Sequence, residues 1–188
     1  SQNVLTTLFS TDDTKKNEDF SEKTIAELVR ACFEMGKVKT GALIVIERGT
    51  PLGEIERTGI EVDGIVTSQL LINIFEHKTP LHDGAVVIRG NRVTAATCYL
   101  PLSDNMELSK ESGTRHRAGV GISEVSDSLT IIVSEETGAV SIAEGGLLKR
   151  DVGQDELKKK LSEITQGIEE GKRKKLMGRI KNERKTDA

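Results

Sequence analysis

The sequence holds no tryptophan, one tyrosine and four phenylalanines. So few rings leave little stacking surface for single-stranded nucleic acid. Its two cysteines, Cys32 and Cys98, lie apart in apolar segments and neither has a CxxC partner. That excludes a disulfide scaffold and a zinc cluster and fits reduced, buried thiols of a cytosolic protein. No run of about 18 apolar residues exists to span a bilayer, and no apolar core of a signal peptide is visible. Neither a GxxxxGK[ST] phosphate loop nor a GxSxG nucleophile turn occurs. The chain also lacks an initiator methionine, opening at Ser1. We therefore expect a piece of a longer protein, with any membrane anchor lying before Ser1.

What is present is 188 residues, enough for one domain with tails. The formal charge is −3 but uneven. Eight basic residues face one acid between Gly171 and Lys185, so that tail carries +7 and the rest −10 by subtraction. An acidic body with a basic tail does not describe a nucleic-acid binder, whose folded domain carries the basic face. We divide the chain into a linker at 1–19, a folded domain at 20–168 and a basic tail at 169–188. The tail reads as solvated or drawn to anionic lipid.

Ile25, Leu28, Val29, Cys32 and Phe33 recur at helical spacing, predicting a helix over 20–36 capped by Asp19. GALIVIE (41–47) is a buried strand. Residues 55–65 give a short strand and loop, and Thr67 or Ser68 caps a helix that ends before Pro80. Ala85–Arg89 and Val93–Tyr99 form a hairpin turning at Gly90-Asn91. Thr114 caps a helix to about Val125. Leu129–Ser134 and Ala139–Ala143 are further strands, and 155–167 is a helix. Strands mixed with flanking helices and hairpins predict an α/β domain with a central mixed β-sheet flanked by helices.

Two stretches can carry chemistry. In LHDGAVVIRG (81–90), His82 and Asp83 stand at the start of a strand, and Gly84 has no side chain to block a ligand. Adjacent residues in an extended chain face opposite ways, so both reach one ion only if the loop is irregular. Asp83 can bind a divalent metal or accept a proton from a hydroxyl; an ordinary Asp-Gly turn is the competing reading. In GTRHR (113–117), Arg115 and Arg117 bracket His116 beside a helix start, an arrangement that suits phosphate. A solvated basic patch, or an ion pair with Glu111, competes. Ser134-Glu135-Glu136 ends a strand and can serve as ligands or as a plain turn. Tyr99 and Leu100 can wall a base ring or be core.

In order and spacing, LHDGAVVI, CYLPLS and GTRHRAGVGISEVSDSLTIIVSEETG resemble the diadenylate cyclase domain, over roughly residues 24–149. The DGA and RHR signatures of that family stand here as Asp83-Gly84-Ala85 and Arg115-His116-Arg117. The helix before GALIVIE, the phrase LLINIF and the short tail look most like the membrane-associated type. Its three transmembrane helices precede a domain at the cytoplasmic face; removal of that anchor would leave a soluble fragment, with Val4–Phe9 a coil remnant. The resemblance implies condensation of two ATP into cyclic di-AMP with release of two pyrophosphates. It implies Mg²⁺ or Mn²⁺ held by His82 and Asp83, with Asp83 positioning or deprotonating the 3′-hydroxyl and the backbone of Gly84 and Ala85 close to the ribose. Gly113, Thr114, Arg115, His116 and Arg117 would hold phosphates, Ser134, Glu135 and Glu136 the phosphate and metal end, and Tyr99 and Leu100 the adenine. It also implies a homodimer with opposed sites, regulatory protein partners and no specific nucleic acid. A catalytically silent nucleotide-binding module of the same fold is the alternative, and a phosphoryl hydrolase a second.

Overall fold

The computed structural model describes residues 20–105, 107–108 and 113–186. The expectations for Val4–Phe9, for the linker and for Asp19 lie outside the described residues. The elements follow as α1 (Glu22–Lys37), β1 (Ala42–Ile46), α2 (Gly53–Glu56), β2 (Ile60–Ile65), α3 (Ser68–Phe75), β3 (Ala85–Arg89), β4 (Arg92–Cys98), α4 (Thr114–Val125), β5 (Leu129–Val133), β6 (Val140–Glu144), β7 (Leu147–Lys149) and α5 (Gln154–Thr186).

One seven-stranded sheet runs in the order β2-β4-β3-β1-β5-β6-β7. Only β1 and β3 pair in parallel; every other neighbour is antiparallel, so the sheet is mixed as expected. Both faces are covered, which explains why all five residues of β1 and of β5 are buried. Ile44 and Ile46 of β1 pack with α1, α3 and α5, around Ile25, Leu28, Leu71, Phe75, Leu157 and Leu161. Leu43 and Val45 face the other way, onto Ala118, Val120 and Ile122 of α4. An apolar run without alternation is what a strand between two helical layers requires.

Several boundaries differ from the sequence expectation. The helix α1 is capped by Ser21, whose side chain accepts from the Thr24 N–H, not by Asp19. The cap of α4 is Gly113, and Thr114 is its first helical residue. Residues 53–56 make the short helix α2, and the exposed three-residue strand β7 adds an edge that its sequence does not announce. The last helix continues without interruption from Gln154 to Thr186. No helix among the described residues is long and apolar enough to cross a membrane.

The pairing register brings four strand ends to one edge of the sheet. Ala42 pairs with Val133, and Ala85 with Cys98. The starts of β1 and β3 therefore lie beside the ends of β4 and β5, and the start of α4 sits over them. The residues just outside those ends face one another.

Candidate active site

A cleft of about 860 Å³ opens at that edge. Asp83, Gly84, Tyr99, Leu100, Gly113, Thr114, Arg115, His116, Ser134, Glu135 and Glu136 all line it. Both chemically suggestive stretches, separated by about thirty residues of chain, thus meet in one cavity. Each is delivered by a different device.

The Asp83 wall is fixed by backbone packing. Gly84 adopts φ +88°, and a Cβ there would stand 2.9 Å from the Thr97 carbonyl carbon and 3.0 Å from the Cys98 carbonyl oxygen. Only glycine meets both demands. The register of β3 against β4 slips between Ala85 and Val87, where two residues of one strand span three of the other. Thr97 absorbs the slip at φ 54°, an unfavourable value for a β-branched residue. Such a bulge re-aims the chain that follows it. Tyr99 emerges 79% exposed, and its backbone N–H donates to Thr58 Oγ1 at 2.8 Å. The Asp83 carboxylate accepts the Gly84 N–H at 3.0 Å through Oδ1 and is exposed to the cleft. Cys98 also lines the cleft, but burial, and next the Glu56 charge, push its thiol up to about 11. It is inert at neutral pH.

The opposite wall is built from side chains. The Nη1 of Arg115 lies 2.8 Å from Glu135 Oε2. The buried His116 is held below its ordinary pKa by desolvation, then by Arg150; Glu136 opposes this and Arg115 adds to it. A neutral imidazole here can donate its N–H to a phosphate oxygen without adding charge. Ser134 Oγ accepts the N–H groups of Glu136 and Thr137, both at 3.2 Å. Its hydroxyl thereby shapes the turn that presents both carboxylates. Gly138 closes that turn at φ +77° against the Gly36 carbonyl, which would be 2.2 Å from an added Cβ.

Three expected participants are not on the cleft lining. Arg117 is one; its Nη1 donates to Ser103 O at 3.3 Å, and Ser103 N–H donates to Arg117 O at 3.0 Å. Consecutive helical residues turn by roughly 100°, so Arg117 stands roughly 200° around α4 from Arg115. Of this stretch the cleft therefore receives Thr114, Arg115 and His116, and Arg117 is turned to the segment after Pro101. Glu111, the competing partner, lies outside the described residues. His82 is the second: its Nδ1 lies 2.7 Å from Thr79 O, and its ring packs edge-on to His77 at 5.6 Å. Ala85 is the third; its side chain is buried in the core under α4, while the expectation concerned its backbone. Thr58, Ile60 and Leu102 line the cleft and were not expected; the bulge at Thr97 that directs the chain toward them leaves no trace in local sequence.

Hard oxygen donors suit Mg²⁺ or Mn²⁺, and Asp83, Glu135 and Glu136 supply them. No group of three or more histidine, cysteine, aspartate or glutamate side chains among the described residues forms a complete cation cage.

Comparison with known proteins adds an independent line. A model of the DAC family, described as DisA bacterial checkpoint controller nucleotide-binding, matches residues 29–148. Cyclic di-AMP synthase CdaA of Bacillus subtilis is 55% identical over 144 residues, which are 77% of this chain and 53% of that protein. A diadenylate cyclase of Listeria monocytogenes is 58% identical over 135 residues, 72% of this chain and 50% of the other. The chain thus spans about half the length of these curated relatives. The crystal structure of a double mutant of DacA from Staphylococcus aureus superposes with a TM-score of 0.75 at 48% identity, covering 77% of this chain and 96% of that one. A structure described as a hypothetical membrane-spanning protein from Bacillus cereus gives 0.67 at 40% identity, covering 70% and 64%.

Proposed function

Because the chain belongs to the DAC family of DisA-type nucleotide-binding domains, we propose that it is a diadenylate cyclase, condensing two ATP into cyclic di-AMP and two pyrophosphates. The observation that carries this reading is the single cleft that joins Asp83-Gly84 to Thr114, Arg115 and His116. The reaction needs both. A ribose 3′-oxygen bonds to an α-phosphorus, the bond to the β-phosphate oxygen breaks, and the hydroxyl proton must leave. Asp83 holds that hydroxyl and takes its proton. Arg115, Thr114 and the backbone N–H groups of Thr114 and Arg115 at the start of α4 receive the charge that develops on the phosphates. Glu136 and the Ser134 turn complete the phosphate end. Exposed Tyr99, with Leu100, offers the adenine a face. A divalent cation, which Asp83 would help to hold, would supply charge neutralisation and lower the hydroxyl pKa.

One cleft holds one reacting nucleotide, while the product is two-fold symmetric. Two chains with opposed clefts satisfy both facts. Attachment to the cytoplasmic face of a membrane, and regulatory protein partners, belong to this proposal as well. The test is incubation with ATP and Mn²⁺ over a range of protein concentrations, with products identified by mass. We expect cyclic di-AMP, at a rate per chain that rises with concentration. ADP or AMP would make the protein a hydrolase, and bound ATP with no product a silent module.

A further inference from the structure

The position of the Arg115 guanidinium is set by something, and the ion pair with Glu135 is a poor candidate. The Glu135 side chain is 61% exposed, and ion pairs that open to solvent contribute roughly 0–1 kcal/mol. Beneath the guanidinium lies Gly41, the buried residue just before β1. A Cβ at Gly41 would stand 2.7 Å from Arg115 Nη1, 2.8 Å from Cζ and 3.2 Å from Nε. Gly41 is not among the residues with positive φ, so the backbone does not call for glycine there. What glycine supplies is space, and the guanidinium fills it.

We infer that Gly41 is a positioning residue for Arg115: its absent side chain is the seat in which the guanidinium lies flat, turned toward the cleft. This rests on the nucleotide-binding reading above and adds to it a residue outside the cleft lining. The seat is part of the sheet edge, so it holds Arg115 at a fixed height above the start of β1 and the end of β5. The Glu135 carboxylate can leave when a phosphate arrives, whereas the seat stays. Arg115 then meets the phosphate already oriented, without reordering a long side chain.

A double-mutant cycle tests this on the full chain. Binding of 3′-deoxy-ATP, which lacks the attacking hydroxyl, is measured by titration calorimetry in the parent, Gly41→Ala, Arg115→Ala and the double variant. A displaced guanidinium should lower affinity about tenfold in Gly41→Ala. In the Arg115→Ala background the same change should have no effect beyond about twofold, because the group it displaces is gone. Equal losses in both backgrounds, or none in the parent, overturn the inference. If Gly41→Ala alone fails to fold, the double variant should fold, since the clashing atoms are removed; a double variant that also fails overturns it. Cyclic di-AMP formation by the parent is assayed alongside. A parent that forms no product and binds no 3′-deoxy-ATP defeats the functional reading instead.

Discussion

The cleft has one wall of backbone and one of side chains, and two glycines show the difference. At Gly84 an added Cβ would strike the backbone of Thr97 and Cys98. At Gly41 the nearest atoms it would strike belong to the far end of Arg115. The first wall cannot give; the second can. This matches the chemistry proposed for each. A hydroxyl and its proton acceptor must meet within a few tenths of an ångström, which a rigid bulge and turn can guarantee. A triphosphate changes charge and position as pyrophosphate leaves, and the exposed Glu135 carboxylate can swing away from the seated Arg115 as it does.

Breaking the rigid wall chemically, without moving it, should have the largest effect. Asp83→Asn keeps shape and removes the proton acceptor. We expect cyclisation to fall at least 100-fold, the scale at which a general base contributes, while 3′-deoxy-ATP binding stays within a few-fold. Cyclisation at the parental rate would dismiss Asp83 as the essential group. Breaking the same wall sterically comes next. Gly84→Ala places a Cβ into backbone at positive φ, and the conformational and packing penalties together amount to about 3 kcal/mol. Urea unfolding should show that loss in Gly84→Ala and almost none in Gly41→Ala. Similar losses in the two would erase the distinction between the walls.

The sequence exposed much of this, unevenly. GALIVIE and LTIIV read as buried strands because sheets covered on both faces demand unbroken apolar runs. Asp83, Gly84 and the start of α4 were legible as residue types suited to a hydroxyl and a phosphate, and the DGA and RHR signatures tied them together. Facing direction was not legible. RHR reads as three consecutive ligands, but helical rotation sends Arg117 to Ser103. His82 stands beside Asp83 in sequence, yet its ring nitrogen lies against Thr79 O. The Ser21 cap of α1 is tied to a long-range contact that local sequence does not show: Ser21 N–H and Thr24 Oγ1 both donate to Asn91 Oδ1, 70 and 67 residues away. Gly41 looked like the ordinary start of a strand. Its use appears only when α4, more than seventy residues later, lays Arg115 across it.

The adjustable wall also carries a pH signature. His116 is held below its ordinary 6.5, first by burial and then by Arg150. Below that value the unfolded chain takes up a proton that the folded chain refuses. Stability is therefore full above about 6.5 and is lost as pH falls through that value toward the folded-state pKa. His116→Gln removes this source of acid sensitivity. Urea midpoints measured from pH 8 to pH 5 should fall more steeply for the parent than for the variant below 6.5. Parallel curves would mean that His116 charges as readily folded as unfolded.

The smallest effect should come from the strain that builds the rigid wall. Thr97 holds φ 54°, which costs an L-residue roughly 1–2 kcal/mol. Glycine relieves that cost but adds roughly 0.5–1 kcal/mol of its own inside a strand. Thr97→Gly should therefore stabilise the fold by no more than about 1 kcal/mol in urea unfolding. Its effect on the site separates two ways in which the bulge could act. The slip in register is fixed by strand pairing on both sides, from Ala85–Cys98 to Val87–Ala95, and glycine can occupy the same conformation. Adenine-side geometry at Tyr99 should then persist, with 3′-deoxy-ATP affinity unchanged within about twofold. A gain in stability joined to a loss of affinity would show instead that the threonine side chain, and not the bulge, holds Tyr99 where the nucleotide needs it. The rigidity of this wall would then reside in one methyl-bearing residue and not in the sheet.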